Sequence, residues 1–163
     1  MIVAGANGSG KSTMLKIIAG LLPSSEGKVT LPEGDARHTL GYSGLDLNVY
    51  PFLTAIEHVR MARDFRGTGE NPDELLNRVG LTRAANQRAG EFSTGMRARL
   101  KLAIAVQAKP QVLLLDEPSA SLDEAGRELV ENIVNQQRQR GVCLIATNDP
   151  LERRLGSHVL ELV

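Results

Sequence analysis

The sequence predicts an α/β fold: a mainly parallel sheet flanked by helices, with a helical subdomain inserted in it. Three observations carry this. Short apolar strands alternate with helical segments at both ends of the chain. The middle, about residues 45–105, reads as helix after helix. Val112–Leu115 is an unbroken apolar run of the kind buried on both faces of a parallel sheet. The 163 residues, 42% of them apolar, suffice for one domain with a sizeable core. We expect a single domain over 1–163, its core in about 1–44 and 106–163 and its helical subdomain in about 45–105.

Taken in order, Met1–Ala4 is a short apolar strand. Thr13–Ile18 follows as a helical pattern ending near Gly20, with Pro23 and the Ser24–Gly27 turn closing it. A weak strand is expected at Lys28–Leu31 and another around Thr39–Ser43. Thr54 and Glu57 form a T-x-x-E capping box ahead of Ile56, Val59 and Met61, so a helix starts at Thr54. The next has Asn71 as cap, Pro72 in the first turn, Glu74 reaching back and Gly80 as its stop. Ser93 opens a long helix with a Leu100, Ala103, Ile104 stripe that ends before Pro110. After the Val112–Leu115 strand, Asp123 caps a helix through about Arg140, with Gly141 as terminator. Val142–Ala146 and His158–Leu162 complete the strands.

Lys plus Arg and Asp plus Glu number 19 each, so no global field favours nucleic acid or an anionic membrane, and no nucleic-acid motif occurs. The one cysteine, Cys143, lies in an apolar run and reads as a buried strand residue. A single thiol excludes an internal disulfide and fits a reducing compartment. No apolar run approaches the ~20 residues needed to span a bilayer, which places the chain beside any membrane rather than in it. His38, His58 and His158 match no metal-ligand spacing and read as solvated or packing histidines.

The most informative residues are G-A-N-G-S-G-K-S, Gly5–Ser12, between the first strand and the first helix. They match G-x-x-x-x-G-K-[ST], the phosphate-binding loop of a P-loop NTPase. Gly5, Gly8 and Gly10 let consecutive backbone N–H groups turn inward around a polyphosphate. The helix beginning near Gly10 adds its unpaired N–H groups and positive dipole end. Lys11 can place a point charge on the terminal phosphates, and the Ser12 hydroxyl can ligate Mg²⁺. Gly5, Ala6, Asn7, Gly8, Ser9, Gly10, Lys11, Ser12 and Thr13 are the expected ATP-binding residues. The second signal is Val112-Leu113-Leu114-Leu115-Asp116-Glu117, a buried strand emerging at a ligand crevice. Asp116 is placed to hold Mg²⁺ and Glu117 to polarise the attacking water as general base.

Three further motifs resemble ATP-binding cassette proteins, specifically the nucleotide-binding subunits of ABC transporters. D-E-P at Asp116–Pro118 runs into S-A-S-L-D at Ser119–Asp123, which is similar to the family's D-loop. F-S-T-G-M at Phe92–Met96 stands in the place of the signature L-S-G-G-Q. A-T-N-D at Ala146–Asp149 ends a strand where the family has its switch histidine. The resemblance covers nearly the whole chain. It implies two such domains packed head to tail around two ATP molecules, each phosphate loop facing the partner's signature. Ser93 and Gly95 would then bind the partner's γ-phosphate, with Asp123 at the same interface. It also implies transmembrane permease subunits, docked on the helical subdomain, and a location on the cytoplasmic face of the membrane, peripheral to it. The signature and the short domain resemble exporter-type cassettes, haem exporters among them.

Four departures from the family pattern bear on that expectation. The chain begins at the phosphate-loop strand, without the family's upstream strands and adenine-stacking aromatic, which makes Met1 a candidate internal methionine. Leu45 holds the position of the family's glutamine and can neither ligate Mg²⁺ nor orient a water. Asn148 replaces the switch histidine; its amide can donate to a phosphate but cannot titrate. Thr94 and Met96 alter the signature around Ser93 and Gly95. Two rival readings follow: a cassette ATPase without membrane partners, serving translation, repair or assembly, and a regulatory ATP-binding module that no longer hydrolyses.

Overall fold

A computed structural model describes all of residues 1–163. Five strands form one sheet: β1 (Ile2–Gly5), β2 (Leu40–Ser43), β3 (Val112–Asp116), β4 (Val142–Ala146) and β5 (Val159–Leu162). Their order is β2-β3-β4-β1-β5, and every pairing is parallel. Helices α1 (Lys11–Ile18) and α2 (Ala36–Thr39) lie between β1 and β2, and α6 (Glu124–Arg138) between β3 and β4. α7 (Pro150–Arg153) joins β4 to β5. Between β2 and β3 run α3 (Ala55–Arg66), α4 (Pro72–Arg78) and α5 (Thr94–Val106) with two single turns of 3-10 helix.

The alternation of side chains along a strand divides the core in two. Val3, Val112, Leu114, Leu144 and Ala146 face one way and pack with Leu15 of α1. Ile2, Ala4, Leu113, Leu115, Cys143 and Ile145 face the other way, toward buried residues of α3, α4, α5 and α6. All five residues of β3 are buried, as its apolar run requires. The same alternation puts Asp116 on the side of Val112 and Leu114, the side of α1 and the loop before it.

The helix starts follow their caps. The Thr54 hydroxyl accepts from the Glu57 N–H while the Glu57 carboxylate accepts from the Thr54 N–H at 2.7 Å, so the capping box is complete. Ser93 caps α5 and Asp123 caps α6. Cys143 is buried on β4, where loss of hydration pushes its thiol up to about 12. His58 is a packing histidine, 1% exposed: its Nε2 accepts from the Tyr50 N–H at 2.9 Å and its Nδ1 lies 2.8 Å from the Thr54 carbonyl.

Several expectations are corrected. Lys28–Leu31 is not a strand; Lys28, Val29 and Thr30 are exposed and no strand lies beside them to complete a ladder. Asn71 caps α4 by accepting from Asp73 and Glu74, but the Glu74 carboxylate does not reach back. α6 stops at Arg138, and Gly141 is there for space: a Cβ would sit 2.1 Å from the Gln111 carbonyl oxygen. The short helices α2 and α7, capped by Asp35 and Asp149, were not expected.

Candidate ATP site

The strand order makes β3, β4 and β1 consecutive, so the loops leaving their C-terminal ends converge on one crevice. From β1 comes Gly5–Ser12. Gly5, Gly8 and Gly10 all have positive φ (150°, 86° and 96°), backbone that side chains resist. A Cβ on Gly5 would also meet the Leu162 carbonyl oxygen at 2.4 Å. Lys11, 6% exposed, lies across its own loop and donates to the carbonyls of Gly5 (2.8 Å) and Ala6 (3.0 Å). The Ser9 hydroxyl is buried within the loop without a partner. Ser12 and Thr13 open α1, so their N–H groups belong to the free first turn of that helix.

From β3 come the two acids. Asp116 is 5% exposed, and its Oδ1 has no partner in the protein. A buried carboxylate oxygen left unpaired is costly to folding, whereas a hydrated divalent cation satisfies it. Glu117 has φ 47°, a left-handed conformation rare outside glycine, and its N–H donates to the Ala146 carbonyl at 2.8 Å. Its carboxylate accepts from the Asn148 N–H (3.1 Å) and the Thr147 hydroxyl (3.3 Å). Burial raises the Glu117 pKa above the usual glutamate value and the charge of Glu152 adds to this; the two hydrogen bonds and Lys11 oppose it. The group is therefore more basic than an exposed glutamate.

From β4 comes Asn148, whose side-chain amide donates to the Asn7 carbonyl oxygen, tying the switch position to the phosphate loop. The structure thus brings together the loop, Asp116, Glu117 and Asn148. It does not bring Ser93, Gly95 and Asp123 to them. The Ser93 hydroxyl accepts from the Met96 N–H, and a Cβ on Gly95 would meet the Ser121 carbonyl oxygen at 3.2 Å. Asp123 accepts from the Gly126 N–H and pairs with Arg99 at 2.8 Å, which holds its carboxyl below the usual range. Leu45 is 57% exposed beside a groove of about 540 Å³ that reaches Asp116 and Glu117.

Residues that the sequence did not single out hold this arrangement. Lys101 of α5 donates to the carbonyls of Gly44 (3.2 Å) and Leu45 (3.1 Å), and Lys16 of α1 pairs with Asp46 at 2.7 Å. Two helices thereby pin the Leu45 loop. Thr147 lies within A-T-N-D, where the sequence assigns it no role, and Glu152 carries no signal beyond being one acid in a polar segment.

Comparison with known proteins decides the family. The ABC transporter model matches residues 1–120. The chain belongs to the ABC transporter family. It is an ATP-binding subunit of an ABC transporter, and an ATPase. The cytochrome c biogenesis ATP-binding export protein CcmA of Mesorhizobium japonicum is 37% identical over 96% of this chain and 84% of its own length. The ABC transporter ATP-binding protein YybJ of Bacillus subtilis is 32% identical over 88% of this chain and 70% of its own. Among solved structures, a dimeric ATP-binding cassette in a post-hydrolysis state with ADP and phosphate superimposes with a TM-score of 0.89. It is 27% identical over 99% of this chain and 79% of its own. The parallel sheet flanked by helices is thus the fold of an ABC cassette, and the transporter subunit is favoured over the two rivals. No helix is long and apolar enough to cross a membrane.

Proposed function

We propose that this ABC subunit binds MgATP at the ends of β1, β3 and β4 and hydrolyses it with Glu117 as general base. The observation that carries the proposal is the unpartnered Asp116 Oδ1, buried at the end of a strand beside the phosphate loop. Ser12 and Asp116 would hold Mg²⁺, which supplies charge neutralisation on the phosphates. The residues of Gly5–Thr13 wrap the phosphates with backbone N–H groups, and Lys11 exchanges its two loop carbonyls for phosphate oxygens. Glu117 takes a proton from the attacking water, a role supported by its raised basicity. The Asn148 amide donates to the γ-phosphate once it leaves Asn7.

A second copy or a related cassette completes the site, its Ser93 and Gly95 presenting the α5 N-terminus to the γ-phosphate and its Asp123 lining the contact. Support comes from the solved relative, which is dimeric. Ser93 and Thr94, at the start of α5, are both exposed here. The segment of about 45–105 is read as the helical subdomain that receives transmembrane permease subunits, which places the chain peripheral to the cytoplasmic face of a membrane. Tyr50 and Phe52, 60% and 81% exposed on either side of Pro51, which lines the groove, support that docking surface. Nucleic acid is not among the expected partners.

Substituting Glu117→Gln tests the chemistry, because glutamine keeps shape and hydrogen bonding but not basicity. ATP should still bind while turnover falls roughly 10²-fold or more, and the variant should collect as an ATP-bound dimer. Normal turnover by a monomer in MgATP would remove Glu117 from the role.

A further inference from the structure

Glu152 stands out among the charged residues for the company it keeps. It is 4% exposed, in a four-residue helix that leaves the end of β4. Its Oε1 accepts from the buried Ser119 N–H at 2.8 Å, and its Oε2 has no partner at all. For folding alone this is a poor arrangement, since an apolar side chain would avoid a buried carboxyl with one oxygen unsatisfied. What Glu152 holds is the turn that carries the catalytic acid. Ser119 is two residues after Glu117, whose left-handed backbone needs outside support to persist.

Three side-chain hydrogen bonds join the two turns. Glu117 accepts from Thr147 and Asn148, and Glu152 accepts from Ser119. The Glu152 side is itself anchored. Asp149 caps α7 through the Leu151 N–H at 2.8 Å and pairs with Arg127 of α6 at 2.8 Å. α6 begins immediately after Asp123. Glu117–Asp123, α6 and α7 therefore form a closed circuit, and the Ser119–Glu152 bond is its only tie between the middle of the acid-bearing turn and α7.

We propose that Glu152 is a positioning residue for hydrolysis, its carboxylate oxygen fixing the Ser119 amide so that the Glu117 carboxylate stays aimed at the attacking water. This rests on the reading of Glu117 as general base. Holding the Ser119 amide needs an acceptor at that point rather than a negative charge, and burial, the larger cause of the raised Glu117 basicity, stays when the charge is removed. Glu152→Gln, which keeps the acceptor, should therefore behave nearly as the native protein. Glu152→Met has similar length, suits a buried site and lacks the acceptor.

Single-turnover hydrolysis with protein in excess, calorimetric ATP affinity and amide exchange at Ser119 read the three consequences. In Glu152→Met the rate should fall roughly tenfold, a loss typical of a slightly misplaced catalytic group, while ATP affinity stays within about twofold and Ser119 exchanges faster. Glu152→Gln should recover most of the rate and the protection. A native rate in Glu152→Met, equal losses of rate and affinity, or failure of Glu152→Gln to recover the rate would each overturn the proposal. Glu117→Gln run alongside separates the two claims. If it hydrolyses normally, the general-base reading has failed; if it is inactive while Glu152→Met is normal, only the positioning has failed.

Discussion

Lys11 is buried, and its ammonium is satisfied by the carbonyls of Gly5 and Ala6 rather than by a carboxylate. A buried cation bonded to carbonyls alone is poised for an anion, and a polyphosphate supplies one. Lys11→Ala should weaken MgATP binding at least tenfold, about 1.4 kcal/mol, by calorimetry; equal affinity would remove the lysine from the site. Leu45 and Asn148 are where residue chemistry departs from the family. Leu45 turns to solvent, and the Asn148 amide is occupied by Asn7. The protein should bind MgATP well and hydrolyse it slowly. Leu45→Gln with Asn148→His should raise steady-state turnover by roughly tenfold or more, since one preorganised transition-state donor is typically worth ~10² in rate. The two sites couple, so the single effects need not add. Robust native turnover unchanged by the double substitution would show the departures harmless. The phosphate loop and the acid pair were legible because backbone geometry and metal chemistry restrict residue types at fixed spacing. Glu152 and Lys101 were not, because each acts on a backbone group far away in sequence, and nothing local marks an acid or a lysine for that.

Helix starts were the most legible elements. The Thr54 box, the Asn71–Pro72 start, Ser93 and Asp123 are contacts within four residues, which a sequence states directly. Thr54→Ala should cost about 1 kcal/mol of stability, seen as a lower urea midpoint with an unchanged slope. Lys28–Leu31 departs from its strand pattern for the opposite reason, because a strand exists only if another lies beside it. As a helix terminator Gly141 has a local role in the sequence, whereas the need the structure shows is tertiary. Gly141→Ala drives a methyl into the Gln111 carbonyl at the β3 entrance and should destabilise by about 1–3 kcal/mol in the same assay. A negligible effect would mean that the Gln111 turn yields freely.

At the scale of the whole molecule, sheet and helical segment meet along the groove between the acids and the Leu45 loop. Charges at Tyr50 and Phe52, both exposed beside it, should abolish co-purification with a membrane partner while leaving ATP affinity intact. Retained association would move the docking surface elsewhere. The topology also sets an order of synthesis against an order of assembly. β1 (Ile2–Gly5) is made well before both of its sheet neighbours, β4 (Val142–Ala146) and β5 (Val159–Leu162). Ile2, Val3 and Ala4 must therefore wait for their β4 and β5 partners until the helical segment and β3 have been translated. Nascent chains halted before Val142 should be cleaved readily by protease within β1 and recruit holdase chaperones. Emergence of β4 and β5 should end both at once, so that this sheet closes in one late step rather than gradually.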